Sequence, residues 1–311
     1  MPARVSRAIV LTSARGAETI DVAAIDAVKA MLETERGSVR AGWLAPGRAW
    51  ENLFSAANDE NLEPFLNRVV ACVGDSAVDV NIILDDPGSR RKRLLVADME
   101  STIIEQEMLD ELADFVGKRQ EISDITERAM RGELDFDGAL KERVRMLAGL
   151  DAAVLDEVAG RMTLMTGAAA LVQTMKAHGA YCALVSGGFA VFASRIAERL
   201  GFDEFQANVL EIADGKLTGR VGEPILGRDA KLTALRRLTA KLGLKPQDTL
   251  AVGDGANDLA MIEAAGLGVA FRAKPKVRDA ARGCEHGAVV THGDLTSLLY
   301  LQGYQQDEIT G

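Results

Sequence analysis

Aromatic residues make up only 5% of this 311-residue chain, so aliphatic side chains, within a hydrophobic share of 48%, must fill any core. Histidine is scarce: His178, His286 and His292 show no paired metal-ligand spacing and read as surface or turn residues. Cysteine is equally rare. Cys72, Cys182 and Cys284 are widely spaced and odd in number, which argues against a disulfide framework and fits a reducing compartment. Basic residues are outnumbered, 36 Lys and Arg against 46 Asp and Glu, and the net charge of −10 excludes nucleic acid and anionic membrane surfaces as expected partners. No apolar run approaches the ~18 residues that a bilayer span needs. The start Met-Pro-Ala-Arg-Val-Ser has no apolar signal core. A cytoplasmic protein is the expectation. No GxxxxGK[ST] loop occurs either, and the GDGAND run contains no GxGxxG, which weakens a nucleotide-binding reading.

What is present falls into two parts. Residues 1–85 read as a small α+β unit. Strand patterns at 7–12, within 38–53 and at 78–84 (VDVNIIL) alternate with helical patterns at 21–35 and 60–73. Strand, helix, strand, strand, helix, strand is the order of a ferredoxin-like domain. Trp43 and Trp50 read as packing or dimer-contact residues, with a ligand-lining role as the alternative. Residues 86–93, with Pro, Gly and four consecutive basic side chains, predict a solvated linker. From 94 to 311 a short apolar strand is followed by helical spacing from about 104 to 167, then by alternating helices and strands. That texture predicts an α/β fold with a Rossmann-like parallel sheet, and a helical cap inserted after its first strand. In such sheets ligands bind at the carboxyl ends of the strands.

Three strand ends and one helix start carry the chemistry. LLVADMEST at 94–102 runs an apolar strand into Asp98 and Glu100, one pleat repeat apart, followed by Ser101 and Thr102. One carboxylate could act as nucleophile while the other moves a proton; a capped helix start is the alternative. YCALVSGGF at 181–189 ends a strand in Ser186, Gly187 and Gly188. A Gly-rich turn there would expose backbone N–H groups at a helix N-terminus, where an anion is favoured. Lys231 stands early in a helix, where acids are more usual. Finally, TLAVGDGANDL at 249–259 brackets Asp254 with glycines and adds Asn257 and Asp258, carboxylates that could converge on a hard cation such as Mg²⁺. The alternative for Asp258, a helix N-cap, leaves the rest of that run unexplained.

DxExT at 98–102, SGG at 186–188, Lys231 and GDGxND at 253–258 resemble, in order, the four motifs of the haloacid dehalogenase-like phosphatases. DMEST, LDELA, AMRGELDF, ERVRML and VSGGF further resemble the branch of that family that hydrolyses O-phosphoserine, the last step of the phosphorylated route to serine. The resemblance spans roughly residues 93–300, and bacterial members of that branch carry an ACT-like N-terminal domain, which suits residues 1–85 and allows a homodimer through it.

What the resemblance implies is specific. Asp98 would accept the phosphoryl group. Mg²⁺ would be held by Asp98, the Glu100 backbone carbonyl and Asp254. Ser186, the Gly187 N–H, Lys231 and Asn257 would take the phosphoryl group, with Thr102 and Asp258 in support. Glu100 would protonate the leaving serine oxygen and then activate water. Glu107 would meet the substrate ammonium and Arg143 its carboxylate, while Met130 and Phe136 would close an apolar lid; as plain sequence these four read equally as solvated helix faces or cap core. Glu100 departs from the family's usual DxDxT by one methylene. Two other functions remain open: a phosphotransferase using the same intermediate, and an amino-acid-sensing protein with an impaired catalytic domain.

Overall fold

The computed structural model describes residues 3–14, 16, 19–130 and 133–310, apart from the side chains at 127, 129 and 130. Its first unit consists of β1 (Arg4–Thr12), α1 (Val22–Glu35), β2 (Ser38–Ala45), β3 (Ala49–Ala57), α2 (Glu63–Val73) and β4 (Asp79–Leu84). The strands pair antiparallel in the order β2-β3-β1-β4. The Asp21 carboxylate accepts the Ala23 N–H at 2.9 Å and so starts α1. Ile25, Val28 and Leu32 of α1 and Phe65, Val69 and Val73 of α2 recur at helical spacing and bury against Ile9, Leu11 and Phe54 of the sheet. Burying each of these large side chains contributes about 1.5–3 kcal/mol. Trp50 belongs to this core, and Trp43, its cross-strand partner on edge strand β2, is 37% exposed.

The second unit begins with β5 (Leu94–Ala97), then α3 (Met108–Phe115), α4 (Arg119–Met130), α5 (Phe136–Arg145) and α6 (Val154–Gly160). It continues with α7 (Ala168–Ala177), β6 (Tyr181–Phe189), α8 (Ala190–Leu200), β7 (Glu204–Asn208), and the hairpin β8 (Leu210–Ala213) and β9 (Lys216–Val221). Then follow α9 (Ala230–Lys241), β10 (Thr249–Gly253), α10 (Leu259–Ala264), β11 (Leu267–Phe271), α11 (Pro275–Gly283), β12 (Gly287–Val290) and α12 (Ser297–Leu301). Six strands form one parallel sheet in the order β12-β11-β10-β5-β6-β7. Its central strands are apolar on both faces: Leu95, Ala97 and Val252 pack into one core, Leu94, Val96 and Ala251 into another. The chain leaves β5 toward β6 on one side and reaches β10 on the other, so the carboxyl ends of β5 and β10 flank a topological switch point, where open α/β sheets bind ligands.

Helices α3 to α6 form the cap. Its stem is a bridge between Ile104 and Leu164, continued by the Met165 N–H donating to the Ile103 carbonyl at 2.9 Å. The β8–β9 hairpin closes against the cap. Gly219 sits at φ +77° with its backbone so near α5's end that a Cβ would lie 2.8 Å from Ala148 Cβ.

The expected solvated linker is instead partly folded in. Arg90 and Lys92 are buried: Arg90 pairs with Glu51 at 2.6 Å and Asp85 at 2.8 Å, and Lys92 donates to the carbonyls of Ser89 and Gln247 at 2.6 and 2.8 Å. The run of like charge hid this, because three of its four members, Arg91 through Glu308 among them, meet partners that only the fold brings near. The two units also meet edge to edge. The Asn81 amide on β4 donates to the Val289 carbonyl at 3.0 Å and accepts its N–H at 2.8 Å, standing in for a neighbouring strand at the β12 edge. Asp79 accepts the N–H groups of Thr291 and Gly293 at 2.9 and 2.7 Å, and the Arg48 guanidinium donates to Thr296 Oγ1 at 3.1 Å. The loop gripped this way holds the cap's return stem, since the Leu295 N–H donates to the Thr166 carbonyl at 3.0 Å.

Candidate active site

Asp98 follows directly on β5, and its N–H donates to the Val252 carbonyl of β10 at 3.0 Å, which fixes its backbone at the switch point. Ser101 then adopts φ +53° and the chain turns back, with the Ile103 N–H donating to the Met99 carbonyl at 2.8 Å. This turn carries Asp98 and Glu100 on one loop. Asp98 Oδ1 accepts from Lys231 Nζ at 2.8 Å, and Lys231, the second residue of α9, also donates to Asp258 Oδ1. Asp258 is fully buried, and its other oxygen accepts the Gly255 N–H at 2.9 Å. It opens α10 without a side-chain cap bond, so its carboxylate serves the lysine and the Gly-rich loop instead.

Carboxyl oxygens of Asp98, Asp254 and Asp258 all lie within 4.8 Å of one another, around one ammonium. Negative charge is in excess. Burial pushes the Asp98 carboxyl up to about 8 against the pull of Lys231, and pushes Asp254 up to about 6, helped by the Asp258 charge. Three hard oxygen donors short of positive charge suit a divalent cation. Thr102 Oγ1 stands 3.5 Å from Asp254 Oδ1.

Glu100 turns away from that cluster into a cavity of about 210 Å³, lined among others by Glu107, Asp110, Arg143, Gly187 and Lys274. Its Oε1 accepts the Met108 N–H at 3.2 Å, and a Cβ on Gly188 would lie only 2.7 Å from the same oxygen. The bare backbone of Gly188 therefore accommodates the extra methylene. Burial, reinforced by Glu107 and Asp98, pushes the Glu100 carboxyl well above the usual carboxyl range, which favours its protonated form. Glu107, at the start of α3, accepts from Ser101 Oγ at 2.6 Å, and Arg143 donates to the Ala139 carbonyl at 3.2 Å and Thr126 Oγ1 at 3.4 Å. Asp110, Ser123, Thr126 and Lys274 line the cavity too, and sequence reading passed over all four. Asp110 follows Glu107 at i+3 and so shares its helix face, a usable signal; polar residues on amphipathic helices gave none.

At the next strand end β6 runs on through Phe189 and α8 starts only at Ala190, but the ladder with β7 breaks at Ser186 to Gly188, so the expected turn takes the form of a bulge. Phe189 needs the longer strand to reach its buried position, and its neighbour β7 pairs with it at Asn208. Ser186 Oγ accepts the Gly188 N–H at 2.9 Å, and Asn208 holds the Gly187 carbonyl at 2.8 Å. Ser186, Gly187, Asn257, Lys231 and Phe136 line a narrow cleft beside the main cavity, and a Cβ on Gly187 would come within 3.2 Å of the Phe136 ring. Met130 ends α4, but its side chain lies outside the described residues.

The fold and these strand ends define a class: the chain belongs to the haloacid dehalogenase-like hydrolases, whose family model matches residues 95–263. Within the class it is 43% identical over 264 residues to a phosphoserine phosphatase of Streptomyces coelicolor, covering 85% of this chain and 62% of that one. A haloacid dehalogenase family hydrolase from Salmonella enterica serovar Typhi superimposes with a TM-score of 0.79 at 30% identity, over 95% of this chain and 98% of that one. A phospho-aspartyl intermediate analogue of phosphoserine phosphatase does so at 0.62 and 37% identity, over 68% and 98%. The chain spans only 56–62% of the length of three curated phosphoserine phosphatases that it matches.

Proposed function

We propose that this protein hydrolyses O-phosphoserine to serine and phosphate through an aspartyl-phosphate on Asp98. One arrangement carries the reading: Asp98 is held by a buried lysine, and on the same loop Glu100, its carboxyl pushed well above the usual range by burial, enters a cavity that Glu107 and Arg143 also line. In the first step an Asp98 oxygen attacks phosphorus, the bond to the serine oxygen breaks, and Glu100 gives that oxygen its proton. Lys231, Ser186 and the Gly187 N–H offset charge on the phosphoryl oxygens, with Asn257 beside them. In the second step Glu100 takes a proton from water as the water oxygen attacks phosphorus, which releases the Asp98 carboxylate and inorganic phosphate. Glu107 meets the substrate ammonium and Arg143 its carboxylate, a planar fork on a planar anion. Phe136, which lines the cleft, closes it against water.

Asp98, Asp254 and the Glu100 backbone carbonyl would hold Mg²⁺, with Asp258 and Thr102 in support, and the bound ion would lower the repulsion between Asp98 and a phosphate dianion. In the same reading residues 1–85 form an ACT-like unit and 94–311 the catalytic domain, the chain works in the cytoplasm in serine biosynthesis, and exposed Trp43 supports a homodimer through the first unit. No described helix is long and apolar enough to cross a membrane. Phosphate release from a panel of phosphorylated amino acids and sugars, with and without Mg²⁺, tests the proposal. Metal-dependent release favouring phosphoserine is expected; metal-independent release, or none from phosphoserine, overturns it.

A further inference from the structure

Three adjacent strand ends deliver the groups used above: Asp98 after β5, Ser186 and Gly187 on β6, and Asp254 after β10. The fourth, β11, delivers Lys274. The chain leaves β11 at Phe271, and the Lys274 N–H donates to the Asp254 carbonyl at 3.3 Å just before α11 begins. The Lys274 backbone is thereby tied to the acidic cluster, while its side chain is exposed and lines the same cavity as Glu100, Glu107 and Arg143. Among the described residues it makes no ion pair, whereas Lys231 is locked between two carboxylates. Its charge nevertheless reaches the site, because it draws the Asp254 carboxyl downward against burial.

We propose that Lys274 is the substrate-recruiting cation of this site, binding the phosphate dianion at the cavity mouth and passing it to Lys231 and Ser186. The need for such a group follows from the lining. Glu107 and Asp110 stand at the cavity wall, three more carboxyls lie beneath, and the whole chain carries −10, so an incoming dianion meets repulsion at every range. Arg143 is half-buried, donates to the Ala139 carbonyl and Thr126 Oγ1 and is assigned to the substrate carboxylate, and Lys231 is held by Asp98 and Asp258. A free ammonium on a flexible stem at the rim can move with the phosphate, which a buried ion pair cannot. Because β11 lies on the far side of β10 from β6, Lys274 approaches from the side opposite Ser186 and Gly187.

The inference rests on the phosphomonoesterase reading of the site, and its test separates the two. Lys274→Gln and Lys274→Arg are compared with the unaltered chain, using O-phosphoserine and an aryl phosphate at rising ionic strength. Lys274→Gln should lower kcat/KM roughly fivefold at low salt, mostly through KM, with the gap closing as salt screens the charge. Lys274→Arg should restore it. An unchanged salt slope in Lys274→Gln, or an Arg variant as weak as Gln, would overturn the role. Release from the aryl phosphate alone would instead remove phosphoserine as substrate while still reporting on Lys274.

Discussion

Glu100 and Gly188 form a matched pair. The longer acid reaches its position because nothing projects from Gly188, where a Cβ would stand 2.7 Å from the carboxyl oxygen. Gly188→Ala should therefore displace the proton-transfer group and lower kcat about tenfold or more. Glu100→Asp combined with Gly188→Ala should recover part of that loss by withdrawing the oxygen from the new methyl. Steady-state kinetics on the three variants checks this; equal losses in single and double variants would show that the two do not touch. At this scale Asp98 and Asp254 were legible as strand-end groups and Lys231 as an unusual early-helix cation. The space that admits Glu100 was not, because the second glycine of VSGGF reads as turn chemistry until its neighbour 88 residues upstream is placed against it.

At the scale of elements, α3 and α5 set Glu107 and Arg143 into one cavity from two separate cap helices. Removing the guanidinium removes a charge-assisted contact worth about 1.5–3 kcal/mol. Arg143→Ala should accordingly raise KM for phosphoserine about 10- to 100-fold and leave that for an aryl phosphate far less affected. Equal effects on both would mean that Arg143 is no carboxylate clamp. Element order was readable throughout, from the ferredoxin-like first unit to the helical insertion, because 3.6- and 2-residue periods are strong in aliphatic-rich segments. The end of β6 differs from the expected helix start for a physical reason: Ser-Gly-Gly bulges out of the ladder, but β7 pairs again at buried Phe189 and delays α8 to Ala190. The basic run at 90–93 was misread for a similar one, since its partners Glu51, Gln247 and Leu301 are remote in sequence.

For the molecule as a whole, Asp79 and Asn81 join the first unit to the second through backbone groups of residues 289–293. Asp79→Ala leaves buried N–H groups unpaired and should cost on the order of 3 kcal/mol in denaturant unfolding. A loss of a few tenths would show that the edges are not coupled. The acidic cluster also gives stability a pH dependence. Raised folded values for Asp98, about 8, and Asp254, about 6, mean that the native state holds more protons than the unfolded one. Without metal, these groups should make stability fall as pH rises from about 4 through these values. A cation needs both carboxylates ionised, so the rise in thermal midpoint on adding Mg²⁺ should grow between pH 5 and 8. A rise independent of pH would contradict binding at this cluster.

The most direct test is acid-quenched mass spectrometry of the Glu100→Gln variant after mixing with Mg²⁺ and either O-phosphoserine or an aryl phosphate. The aryl phosphate needs no acid to leave, and without Glu100 to activate water the intermediate should persist. The prediction is one phosphate on Asp98 in that variant and none in Asp98→Asn. Phosphate on another residue, or undiminished turnover with Asp98 unmodified, would contradict the assignment of Asp98 as the phosphoryl acceptor.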